Sequence, residues 1–87
     1  MRALVLGAAG RMGSEAMRDL AQSQDVSQVV AADARVERAK ARAEALGDPV
    51  RRKVVAQAVD VTDGASLVRL MKEADVVVNC VGPFYRY

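Results

Sequence analysis

Residues 1–13, MRALVLGAAGRMG, decide the fold of this chain. An apolar run at residues 3–6 ends in three glycines, Gly7, Gly10 and Gly13, and helix-like spacing begins at once. A buried strand that feeds a tight turn and then a helix has this profile. The glycines have separate physical uses. Gly7 permits a sharp turn off the strand, Gly10 removes a Cβ where backbone must approach a ligand, and Gly13 lets the helix lie close on the strand. The helix start offers unpaired N–H groups and the positive end of the helix dipole, which suits a diphosphate without any charged side chain. The spacing is G-x-x-G-x-x-G, with Ala9 standing where G-x-G-x-x-G has its second glycine. Glycines alone would make only a strand-to-helix turn. Here a strand precedes them, a helix follows, and Asp33 comes about twenty positions after Gly13, which is the context of dinucleotide binding.

Outward from the turn, Met12, Ala16, Met17, Leu20 and Ala21 fall at helical spacing and predict an apolar stripe facing a sheet. Residues 26–32 form a nearly unbroken apolar run that reads as a second strand buried on both faces. Residues 36–46 predict a second helix, with Val36, Ala39, Ala43 and Leu46 inward and Lys40 paired to Glu44 outside, and Gly47 then stops it. The basic run Arg51, Arg52 and Lys53 reads as a solvated loop. A third strand is expected at residues 54–59, then a helix capped by Thr62 or Asp63 with Leu67, Leu70, Met71 and Ala74 inward. A fourth strand is expected at residues 76–81, broken by Gly82 and Pro83. The order βαβαβαβ requires right-handed crossovers and a parallel four-stranded sheet, and the spatial order 3-2-1-4 is expected, an α/β, Rossmann-like half-fold. In that order the first and fourth strands lie side by side, and their carboxyl ends form a crevice of the kind in which ligands bind.

Composition narrows the function. The chain has 87 residues, 52% hydrophobic and 28% charged, so a single small globular domain spanning residues 1–87 is expected. Thirteen basic against eleven acidic residues leave a formal charge of +2, with no basic stripe for nucleic acid. The apolar runs are far shorter than a membrane span, and Met1 leads directly into strand residues, so a cytoplasmic protein is expected. One cysteine, Cys80, and no histidine exclude a zinc site or a Cys–His nucleophile pair within this chain.

Further candidate residues follow from position. Asp33, ending the second strand, can accept hydrogen bonds from adenosine ribose hydroxyls, which favours NAD over a 2′-phosphate; alternatively it caps the second helix. Arg35 can instead pair with a 2′-phosphate and stack on adenine, so both NAD and NADP stay open. Asp60 and Val61 can flank the adenine ring, or serve only as strand-end residues. Arg11 can pair with a pyrophosphate or lie idle on the helix surface. Cys80 reads as a packing residue. The aromatic residues Phe84, Tyr85 and Tyr87 all lie in the last four positions and imply structure beyond them.

The segments VLGAAGRMG, AAD, DVTD and DVVVNCVGPFYRY together resemble the N-terminal cofactor domain of saccharopine dehydrogenase-like oxidoreductases, over the whole chain. The turn is also similar to that of dihydrodipicolinate reductases, but the closing segment resembles the saccharopine group much better. The resemblance implies that Gly7, Gly10, Arg11 and Met12 hold the pyrophosphate, Asp33 and Arg35 the ribose, and Asp60 and Val61 the adenine. It places Cys80, Val81 and Gly82 on the nicotinamide side. Members of that group continue into a second half-sheet and a substrate domain, so an N-terminal piece of a longer NAD- or NADP-dependent oxidoreductase is expected. The alternatives are a stand-alone nucleotide-binding or sensing module, and a remnant that folds but binds nothing. The fourth strand would lie at the sheet edge with Val76, Val77 and Val78 and no proline or lysine among them, so a homodimer through that edge is also expected.

Overall fold

The computed structural model describes residues 1–60 and 62–80. Four strands, β1 (Arg2–Leu6), β2 (Gln28–Asp33), β3 (Val54–Ala58) and β4 (Val76–Asn79), alternate with three helices, α1 (Arg11–Gln22), α2 (Val36–Glu44) and α3 (Gly64–Lys72). All strand pairs are parallel and the sheet order is β3-β2-β1-β4, the Rossmann-like half-fold that the element order requires. The register sets Leu6 opposite Ala32 on one side and Asn79 on the other, so the carboxyl ends of β1, β2 and β4 finish level. Among the described residues, no helix is long and apolar enough to cross a membrane.

Strand alternation sends side chains to two unequal cores. Ala3, Val5, Val29, Ala31 and Val54 face α1 and α2, where Met17, Ala21, Ala39 and Ala43 bury against them. Leu4, Leu6, Ala32 and Val59 face α3. That helix buries no residue fully, and Leu67, Leu70 and Ala74 only partly cover the sheet. Alanines dominate the α2 contact because two helices must share one face of a narrow sheet, and small side chains allow the close approach.

Several expectations need correction. Met12 does not face the sheet but is 72% exposed. The inward stripe of α1 is Gly13, Met17 and Ala21, because Gly13 sits against the preceding turn and sets the rotation of the helix about its axis. Met71 is likewise exposed. Helix α2 ends at Glu44, with Ala45 as its C-cap and Gly47 at a positive φ of 73°. Lys40 does not pair with Glu44. It reaches Glu37 instead, and Glu44 accepts from Arg51 through Nε and Nη2 at 3.0 and 2.9 Å, a forked contact that a lysine amine cannot match. The basic run is not a solvated loop but a 3₁₀ turn, Val50–Lys53, tied down at several points. Arg51 donates to the Val54 carbonyl, and Lys53 reaches the Ser23 carbonyl after α1. Strand β2 begins at Gln28, two residues later than its apolar run, and Val26 is buried before it; β3 ends at Ala58, with Val59 buried just after. Strand β4 ends at Asn79, so Cys80 is not part of it, contrary to expectation; Val81 and the aromatic tail lie outside the described residues.

Candidate functional site

The turn after β1 is built almost wholly from backbone. Gly7 has φ +83°, a conformation that side chains disfavour. Its amide and that of Ala8 both donate to the Ala32 carbonyl, at 2.8 and 3.2 Å, which fastens the turn to the end of β2. The Gly10 amide donates back to the Gly7 carbonyl at 3.1 Å, and Gly10 then serves as the N-cap of α1. Among the described residues no side chain caps this helix, and no acidic residue stands in its first turn. The first amide in the helical ladder is that of Ser14, bonded to the Gly10 carbonyl at 2.9 Å. The amides of Arg11, Met12 and Gly13 therefore meet no acceptor among the described residues.

Three unpaired amides at the positive end of a helix dipole form a receptor for an anion. Among the described residues, a Cβ placed on Gly10 would meet nothing nearer than the Gly7 carbonyl oxygen at 3.5 Å, so the backbone there is uncovered by them. At Gly13 the situation is opposite. A Cβ would collide with the Gly7 carbonyl and lie 2.9 Å from the Ala8 Cα, so this glycine is required by packing. Arg11 is exposed and makes no ion pair among the described residues.

Asp33 ends β2 beside this turn and is buried, with 6% of its surface exposed. Its Oδ2 accepts the Ala9 amide at 3.0 Å, and its Oδ1 accepts the Arg35 amide at 2.8 Å and Arg35 Nε at 3.3 Å. Burial alone would raise its pKa. The Arg35 and Ala9 amides together with the Arg35 side chain outweigh burial and hold the carboxyl below its ordinary 3.8. Asp33 does not cap α2, whose N-cap is Arg35 with no side-chain cap. Ala9 is itself buried, so the position that holds a glycine in the commoner fingerprint here turns its amide inward to Asp33.

The remaining candidates are spread around the same end of the sheet. Asp60 Oδ1 accepts from the amide and hydroxyl of Thr62, which lowers its pKa. Of the two proposed caps of α3, Asp63 does the work, accepting from the Ser66 amide and hydroxyl. Cys80 follows β4, half-buried, with its amide donating to the Leu6 carbonyl at 2.8 Å, which sets it beside the carboxyl end of β1. Val61, Val81 and Gly82 lie outside the described residues. Sequence reasoning passed over Ser14, whose hydroxyl touches two carbonyls of the turn. Its only signal was a polar residue directly after the last glycine, on the half-buried flank of the helix.

Comparison with known proteins agrees with this geometry. A family model, the saccharopine dehydrogenase NADP binding domain, matches residues 3–87. Among solved structures, the chain is similar to a menthone neomenthol reductase from Mentha piperita, with 30% identity and a TM-score of 0.73. The match covers 90% of this chain and 30% of the reductase chain.

Proposed function

The chain belongs to the saccharopine dehydrogenase NADP-binding domain family, and as the NAD(P)-binding domain of such an oxidoreductase we propose that it positions the nicotinamide ring for hydride transfer. Catalytic and substrate-binding groups come from structure outside residues 1–87, which would make this the cofactor-binding piece of a longer, cytoplasmic enzyme. One observation carries the reading: the unpaired amides of Arg11, Met12 and Gly13 over open backbone at Gly10. These amides would hold the diphosphate, with Arg11 adding charge from the helix surface. Gly7 shapes the turn, and Asp33 with Arg35 meets the ribose. Asp60 and Val61 would border the adenine, and Cys80, Val81 and Gly82 the nicotinamide. The cofactor, when bound, would donate or accept the hydride according to its oxidation state. The residues of this chain supply only its placement, which lowers the barrier by fixing the reacting ring in orientation.

Cofactor choice turns on Arg35. The Asp33 carboxylate would repel a 2′-phosphate if it stood alone, but a guanidinium lies against it and can turn to meet the phosphate. Arg35→Ala is expected to weaken NADPH by about 1.5 to 3 kcal/mol while changing NADH little, as for a hydrogen bond to a charged group. Asp33→Ala should weaken both cofactors, because it also releases the Ala9 amide. Parallel titrations of the two variants check this, and equal losses of both cofactors in Arg35→Ala would remove Arg35 as the reader.

The outer edge of β4 pairs with no strand among the described residues. Pairing of that edge with its own copy, antiparallel about a two-fold axis, would satisfy it, and nothing in Val76, Val77 and Val78 discourages such pairing. A dimer is therefore expected by light scattering at tens of micromolar. A strictly monomeric protein at that concentration would exclude the edge as an interface between copies.

A further inference from the structure

We infer that Ser14 is a positioning residue for the diphosphate-binding amides, an inference that rests on the dinucleotide reading above. Its Oγ lies 2.7 Å from the Gly10 carbonyl oxygen and 3.2 Å from that of Ala8, and its amide also donates to the Gly10 carbonyl at 2.9 Å. A peptide unit is planar and trans, so its C=O and N–H point in opposite directions. The peptide joining Gly10 to Arg11 is thus held at its oxygen by Ser14, which aims the Arg11 N–H away from the helix body and toward the open end. The peptide joining Ala8 to Ala9 donates its N–H to Asp33 Oδ2 at 3.0 Å, and its oxygen lies within reach of the Ser14 hydroxyl at 3.2 Å.

The two carbonyls matter because they belong to the peptide units that flank Ala9 and Gly10 in the turn that leads into the anion receptor. A flip of the Gly10–Arg11 peptide would replace the Arg11 donor with an acceptor facing the diphosphate, and a flip of the Ala8–Ala9 peptide would turn a carbonyl oxygen against the Asp33 carboxylate. Ser14 keeps both oxygens turned inward before any ligand arrives, so the cost of organising the turn is not charged to binding. The hydroxyl itself touches no ligand. Its single proton serves the nearer Gly10 oxygen while the Ala8 oxygen stays within reach. Because a serine in a helix commonly bonds the carbonyl four residues back, the local geometry is easy to form. What distinguishes Ser14 is the second carbonyl, six residues back and inside the turn.

The test compares Ser14→Ala and Ser14→Thr with the parent, titrating each with NADPH, ADP and adenosine 2′-monophosphate. In Ser14→Ala the two diphosphate ligands should weaken about fivefold to tenfold, the scale of one hydrogen bond, while adenosine 2′-monophosphate is unchanged. Ser14→Thr, which restores the hydroxyl, should bind all three within about twofold of the parent. Unchanged NADPH affinity in Ser14→Ala overturns the inference, and so does an equal loss for all three ligands, which would signal general loosening of the fold. A ligand-free readout separates this inference from the dinucleotide reading. The amide resonances of Ala9 and Arg11 should shift and broaden in Ser14→Ala and return in Ser14→Thr. If the parent binds no dinucleotide, that reading fails by itself. Spectra of Ser14→Ala unchanged at Ala9 and Arg11 would reject the positioning role whatever the parent binds.

Discussion

Gly13→Ala should cost ~3 kcal/mol or more of folding stability, although alanine is the better helix former. Helix propensity favours the substitution by up to about 1 kcal/mol. Against it stands a Cβ that would lie 2.7 Å from the Gly7 carbonyl carbon and 2.9 Å from the Ala8 Cα, both backbone atoms that cannot rotate aside. The turn they belong to is fixed by bonds to the Ala32 carbonyl, so relief requires lifting α1 off the sheet and unpacking Met17 and Ala21. A chain of this size has a total stability of roughly 4 to 13 kcal/mol, so the variant loses a large part of it. Urea denaturation followed by circular dichroism reads the effect. A midpoint equal to or above that of the parent would show that the helix can shift at little cost.

Gly10→Val should do the reverse, sparing the fold and removing dinucleotide binding. Gly10 has φ −82° and ψ 170°, an extended conformation that a β-branched residue adopts readily. The added Cβ would make only an ordinary contact with the Gly7 carbonyl oxygen at 3.5 Å. Its methyl groups would fill the space in front of the Arg11 and Met12 amides. Losing two hydrogen bonds to a charged group weakens binding by about a hundredfold or more. The variant should therefore keep the parent's urea midpoint and show no saturable binding of NADPH or NADH at concentrations that saturate the parent. Parental affinity in Gly10→Val would move the binding site away from this turn. Together the two substitutions separate a glycine needed by the protein from one needed by its ligand, although they stand three residues apart.

The part of the fold that was legible in the sequence is the part governed by local chemistry and chain topology. Three glycines after a short apolar run leave few choices for backbone, and right-handed crossovers between parallel strands leave few strand orders, of which 3-2-1-4 is the one observed. Gly13 was read correctly as a close-packing residue for the same reason. The facing of Met12 and Met71 was not legible, because hydrophobic spacing fixes a helical stripe only to within a residue or so, and the rotation of α1 is set by the contact of Gly13 with Gly7. The second use of Asp33 was hidden for a different reason. Its partner Ala9 is 24 positions away and contributes only an amide, which no side-chain pattern reveals. The ion pairs of Glu44 and Lys40 depended on the 3₁₀ turn that brings Arg51 back to α2, and that turn has no periodic signal.

The unequal cores give the domain two tiers of cooperativity. Among the described residues, eleven buried ones join the sheet to α1 and α2, and four lie on the face under α3. Excursions from the native state that detach α3 and β4 expose little apolar surface and so lie well below the free energy of global unfolding. The glycine turn, fastened to β2 through Ala32 and Asp33, stays folded through such an excursion, while the β4 side of the crevice comes away. Amide exchange is therefore expected to be faster in α3 and β4 than in the glycine turn and β2. A ligand seated across β1 and β4 would draw the opening equilibrium toward the closed form by mass action, so occupancy would slow amide exchange most in a helix that need not touch the ligand.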